Sequence, residues 1–193
     1  MGFILWALLT FLCHNKIQHG NALNSFAGPY IIVIEERGAY RCDPPNVQLP
    51  WGWNVRPSHF NPNRPREKQL LTGNIAGENV SIDDSSWATI VLDSSSNNQW
   101  KENALVLPFK AKACTAFKMN MPTLYNLFYK KTETKGVCRL KPGVYTVKNN
   151  PIDWVFPNLP ILPYGRFRLR ATVGKAENLH ACFSADLKII PKT

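Results

Sequence analysis

Four cysteines, Cys42, Cys114, Cys138 and Cys182, are the residues best placed to do chemistry in this chain, and that chemistry is oxidation. A fifth, Cys13, belongs to an apolar leader, so the remainder carries an even number, which in an exported chain reads as two disulfides. Three pairings are open on spacing alone. A zinc site competes poorly, because no C-x-x-C pair occurs and only His59 and His180 follow the leader. Hydrolytic chemistry fares no better. Neither histidine sits in a nucleophile motif such as G-x-S-x-G, and no glycine-rich phosphate loop is present. Asp83 and Asp84 are adjacent and point to opposite faces if extended, which suits a polar turn rather than an acid/base pair. The expectation is a protein that is not an enzyme and needs neither cofactor nor metal. Asn79-Val80-Ser81 is the sole N-glycosylation sequon, with Asn79 as the acceptor.

The compartment follows from the leader. Phe3 to Cys13 is an apolar run too short to span a bilayer, and Gly20 and Ala22 follow it in an A-x-A-like arrangement, so residues 1–22 read as a secretory signal. No later stretch approaches the ~20 apolar residues a span requires. Residues 23–193 fit one domain without internal repeats. The formal net charge of +10 favours anionic surfaces, and loss of the leader removes only Lys16 from it.

The elements that must hold these residues read as strands. Phe167, Leu169, Ala171 and Val173 alternate with Arg166, Arg168, Arg170 and Thr172, so one face of a strand is apolar and the other cationic. The face that carries Arg166, Arg168 and Arg170 has no aromatic residue between its cations on that side, which argues against a nucleic-acid partner. Phe183, Ala185, Leu187 and Ile189 repeat the pattern against Ser184, Asp186 and Lys188. Pro29 to Glu35, Ala39 to Cys42, Ala88 to Asp93, Ala104 to Lys112 and Val144 to Lys148 are further short β-rich runs. Asn61 to Lys68 and Asp93 to Asn98 read as exposed loops. Met121 to Lys130 is the one helix expected, with Pro122 in its first turn. This is the inventory of an all-β sandwich or cup.

Two segments are too apolar for ordinary loops. Between Ile152 and Tyr164, Trp154, Val155, Phe156, Leu159, Ile161 and Leu162 are cut by Pro157, Pro160 and Pro163, which deny them a helix or a central strand. The helix supplies Leu124, Tyr125, Leu127 and Phe128. Trp154, Phe156, Leu159, Ile161 and Leu162 are read as one lip of a ligand site, and the helix residues as the other. Trp51 and Trp53 are a candidate third rim element.

The run Cys138-Arg139-Leu140-Lys141-Pro142-Gly143-Val144-Tyr145, then Val155 to Pro160, then Tyr164 to Arg168, then Cys182 with Leu187-Lys188, resembles the C-terminal half of the secreted lipid-recognition family. That family includes the ganglioside activator, the Niemann-Pick type C cholesterol carrier and the lipopolysaccharide co-receptor. The N-terminal half is more similar to the family's insect chemosensory-type members. The resemblance implies an immunoglobulin-like β-sandwich opened into a β-cup with an apolar cavity, and the pairing Cys42–Cys182 with Cys114–Cys138. It implies a secreted protein that holds an acyl chain or other hydrophobic small molecule between two sheets and carries or presents it, in chemosensation for the insect-type members. An anionic membrane surface or a receptor is the further partner expected, and a secreted co-receptor or interaction module without lipid transfer is the alternative. Burial of an acyl chain gains about 0.8 kcal/mol per CH₂, so such a ligand needs few polar contacts.

Overall fold

The alternation of residues 166–189 becomes the centre of the structure. A computed structural model describes residues 26–42, 47–133 and 136–192, and residues 1–22, read above as a secretory signal, lie outside these described residues. In chain order the elements are β1 (Ala27–Gly28), β2 (Tyr30–Arg41), β3 (Trp51–Pro57), β4 (Leu70–Gly77), β5 (Ile82–Asp83), β6 (Trp87–Ser96), β7 (Gln99–Phe109), α1 (Ala113–Asn120), α2 (Pro122–Tyr129), β8 (Arg139–Leu140), β9 (Gly143–Pro151), β10 (Leu162–Pro163), β11 (Gly165–Lys175) and β12 (Asn178–Pro191). β11 lies between β6 and β12, with Leu169 opposite Leu92 on one side and Ala185 on the other. Phe167 and Leu169 are buried, while Arg166 and Arg170 are exposed, as their spacing requires.

Hydrogen bonding runs β7-β6-β11-β12, then on to β3-β4-β9. The link between the two halves is a single parallel pair, Ala181 with Trp51. β2 occupies the rest of the same β12 edge, antiparallel from Phe183 to Pro191. The chain of strands therefore folds over at one ladder position into two facing layers, an all-β sandwich of β2-β12-β11-β6-β7 against β3-β4-β9. Trp51 anchors the fold: its ring is fully buried and its Nε1 donates to Val80 O at 2.9 Å. Gly77 lies against that ring so closely that a Cβ would sit 2.6 Å from the indole carbons.

Several elements differ from the sequence expectations. Pro29 to Glu35 and Ala39 to Cys42 are parts of one strand, β2, whose register against β12 shifts between Ala185 and Leu187. Asp93 to Asn98 is not a loop. β6 continues to Ser96, Asn97 and Asn98 turn with φ of 50° and 58°, and β7 returns from Gln99. Two left-handed residues form the tight turn whose twist matches a hairpin, and asparagine tolerates that conformation. β4 escaped notice because its glycines dilute the strand pattern.

The expected helix exists as α2, with Pro122 at its start, but α1 precedes it unannounced. Met121, ahead of a proline, leaves the helical region (φ −131°) and separates the two. The N-terminus of α1 is capped from a distance: the Asp84 carboxylate accepts from Thr115 N at 2.9 Å and from Thr115 Oγ1 at 2.7 Å. Asp83 meanwhile accepts from Ser85 within its own turn. The two aspartates thus do structural work, in keeping with the polar turn expected of them.

Cys42 is joined to Cys182 and Cys114 to Cys138, closing 140 and 24 residues respectively. The first bond sits one residue from the Ala181–Trp51 crossing, and the second pins α1 to the segment leading into β8. Loop-closure entropy assigns about 5 kcal/mol to the long closure and about 3 kcal/mol to the short one. Replacing Cys42 and Cys182 together by alanine should therefore lower the urea midpoint more than replacing Cys114 and Cys138, and equal losses would contradict the entropic ranking.

Candidate ligand cavity

The two layers do not close completely. Three apolar cavities of about 30, 40 and 100 Å³ lie between them, and Leu169 of β11 borders all three. The smallest is walled by Ile34 and Leu187 of one layer and Val55, Leu71 and Ile75 of the other, with Leu124 and Phe128 of α2. The second lies among Leu92, Leu107, Phe156, Leu159 and Leu162. The largest extends under α1, between Ile90, Ala171 and Phe183 on the sheet and Ala116 and Phe117 of α1 with Met121 after it. Trp53, Met121, Leu124 and Phe183 border both the first and the third. No charged side chain among the described residues lines any of the three.

Of the residues read as ligand contacts, Leu124, Phe128, Trp154, Phe156, Leu159 and Leu162 stand on these walls. Tyr125, Leu127 and Ile161 line none of the three. Tyr125 is buried on another side of α2, its ring 5.8 Å from Phe117 and 5.9 Å from Tyr129. Leu127 packs onto that same core, and Ile161 faces solvent. The Tyr129 hydroxyl has no hydrogen-bond partner there, and burial holds its phenol well above the ordinary range. Trp53 turned out to be wall and Trp51 core. Met121, Phe117, Ile90 and Phe109 were not anticipated as walls, since apolar periodicity marks an inner face without showing where that face fails to meet its partner.

The lip is pinned by polar contacts. Trp154 Nε1 donates to Gln69 Oε1 at 3.2 Å, and Tyr30 Oη donates to Phe156 O at 3.3 Å. Asn158 Nδ2 donates to Asn120 Oδ1 at 3.1 Å, tying the lip to the end of α1. Gly28 of β1 pairs with Leu162 of β10 and holds the lip's far end.

The opposite, outer face of β11 corrects one expectation. An aromatic ring does lie among the cations, supplied by another strand: Trp100 of β7 sits 4.3 Å from the Arg168 guanidinium and 5.5 Å from that of Arg166. The same cations meet carboxylates, Arg166 with Glu35 at 2.8 and 3.0 Å and Arg168 with Asp186 at 2.9 Å. Much of the face is thereby neutralised.

Among the described residues, catalytic and metal-ligating groups do not converge on the cavities. Asp84 lies beside the Cys114–Cys138 bridge, but disulfide sulfurs have no thiolate to offer an ion. His59 is exposed, and His180 is buried at the start of β12. Asn79 is exposed in a turn with φ of 57°. No helix among the described residues is long and apolar enough to cross a membrane. No protein-family model matches the chain, and no curated protein matches it.

Ile161 is 62% exposed and Leu162 only 5%. Ile161→Asp should leave the melting temperature near wild type, whereas Leu162→Asp buries a carboxylate without a partner and should cost several kcal/mol, read by urea unfolding.

Burial, and secondarily Lys175, pushes the His180 pKa below the ordinary 6.5. The unfolded chain then binds the proton first, so stability should fall as pH drops through about 6.5 and be fully present above it. Melting curves between pH 7.5 and 5 should show this loss in wild type, and His180→Gln should flatten it.

Proposed function

We propose that this chain is a secreted binding protein that holds a hydrophobic molecule between its two sheets and carries or presents it. The observation that carries the reading is the charge-free lining of three adjoining cavities: in a chain of formal net charge +10, no charged side chain among the described residues borders them. Voids between packed layers cost stability, and an apolar void stays dry, so its natural occupant is an apolar molecule. Two disulfides support an oxidising, extracellular setting, and the apolar leader supports secretion. The exposed Asn79 sequon fits that route as a glycan acceptor.

The volumes refine the ligand. Cavities of about 150 Å³ accept benzene-sized molecules. The voids here suit a short apolar group as the sheets stand, and a full acyl chain enters only if the Trp154–Leu162 lip swings out. The proline-cut lip, held to α1 through Asn158 and Asn120, is the segment whose movement would join the cavities to solvent. A second reading, a secreted interaction module or co-receptor without lipid transfer, draws on those same modest volumes. Neither reading requires catalysis or a cofactor.

Ala171 borders the largest cavity, and Ala171→Leu should fill it. N-phenyl-1-naphthylamine uptake, followed by fluorescence, should then weaken by about tenfold, equivalent to about 1.4 kcal/mol, with the melting temperature held or raised. Unchanged uptake in a stably folded variant would remove the cavity from consideration and leave the interaction-module reading.

A further inference from the structure

Two of the three cavities share a partition. Ile90, Phe109, Asn120 and Leu169 border both the void of about 40 Å³ and that of about 100 Å³. Three of these four side chains are apolar, and Asn120 is the exception. It is the last residue of α1, it is half-buried, and it holds Asn158 of the lip through a bond that lies at the protein surface. Phe156 and Leu159, on either side of that lip residue, stand on the wall of the smaller void. Asn120 therefore meets two apolar voids and the solvent boundary at once, and the seam between α1 and the lip is the mouth they would share.

Polar side chains are scarce on these walls. Among the described residues, only Trp53, Asn120, Trp154 and Thr172 bring a side-chain nitrogen or oxygen to any of the three cavities. Trp154 spends its N–H on Gln69, and Thr172 donates its hydroxyl to Thr89 O at 3.4 Å. The Trp53 N–H is buried within the packing, without a partner. Asn120 differs from all three because a carboxamide has two N–H donors and two lone pairs. Its Nδ2 donates to Ala116 O at 2.8 Å and its Oδ1 accepts from Asn158 Nδ2 at 3.1 Å, which leaves one N–H and one lone pair unspent. Asn158 retains its second N–H and its carboxamide oxygen. The mouth thus offers donors and acceptors in balance, with no charge.

Building on the reading that the cavities hold a hydrophobic molecule, we propose that the ligand is a neutral amphiphile with a single hydroxyl head, bound by Asn120 and Asn158 at the mouth while its hydrocarbon tail fills the voids. A hydroxyl both donates and accepts, so it can give its proton to a carboxamide oxygen and receive one from a carboxamide N–H. A carboxylate can only accept, and it brings a charge that no described wall residue offsets. A plain hydrocarbon leaves both carboxamides unused and gains only its own burial. Asn120 thereby fixes the direction of the ligand, head at the seam and tail toward Leu169.

The test is competition against bound N-phenyl-1-naphthylamine on the full mature protein with three hexyl compounds: 1-hexanol, 1-bromohexane, which has the same chain and no O–H, and hexanoate at pH 7.5. Hexanol should displace the dye at about tenfold lower concentration than hexanoate. Asn120→Leu should weaken hexanol relative to bromohexane by about tenfold, whereas a residue that only latched the lip would change both compounds alike. In wild type the side-chain NH2 resonances of Asn120 should shift with hexanol and stay in place with bromohexane, a readout that needs no variant. An unchanged hexanol-to-bromohexane ratio in Asn120→Leu, equal NH2 shifts with both compounds, or hexanoate binding as tightly as hexanol would each overturn this inference and leave the cavity reading standing. Failure of the dye itself to bind would remove both.

Discussion

β11 has strands on both sides, and each of its residues must choose between interior and solvent. Phe167, Leu169 and Ala171 face inward beside Leu187, Ala185 and Phe183 of β12 and Ser94, Leu92 and Ile90 of β6. Because side chains alternate with period two, a slip of one residue would carry Arg166, Arg168 and Arg170 into the apolar space. Burying even one unpaired guanidinium costs far more than a sheet register can recover. The outward residues reinforce the same alignment, since Arg168 and Asp186 are directly opposed across the strands and bonded at 2.9 Å. Fixing this register fixes the floor of every cavity, because Leu169 touches all three.

The other layer is placed by different means. It joins β12 at one pair of residues, so its position rests on what surrounds that pair: Trp51 wedged against Gly77, the Cys42–Cys182 bond, and the helices packed beneath it. Ring contacts continue from Trp53 to Phe117 and on to Tyr129 and Tyr145, carrying the packing from β3 through both helices to β9. Polar groups close the seams. Gln69 alone serves the edge of β2, the carbonyl of Ser58 and the indole of Trp154.

What could be read beforehand divides along physical lines. The alternation of β11 and β12, the all-β class, the helix opened by Pro122 and the parity of the cysteines are local properties, and each was legible. The cysteine pairing came from family resemblance, not from spacing. α1 was illegible because its stabilising partners are remote: Asp84 lies 31 residues from the Thr115 it caps, and Cys138 lies 24 from Cys114. The serine-rich end of β6 looked like loop because its partner, β7, supplies the reason to be a strand. In the lip, composition identified an unusual segment but could not separate Leu162, sealed by β1, from Ile161 beside it. Nor could it show that Trp51 fills the core while Trp53 borders a void.

Those voids have a volumetric consequence. A folded protein that encloses empty space occupies more volume than its hydrated, unfolded chain, and pressure favours the smaller state in proportion to the space eliminated. Cavities gathered around one residue at the centre of the sandwich therefore make compression a selective probe of its interior. Filling them from within, by a guest, would show as a gain in resistance to hydrostatic pressure even where heat and urea register little change.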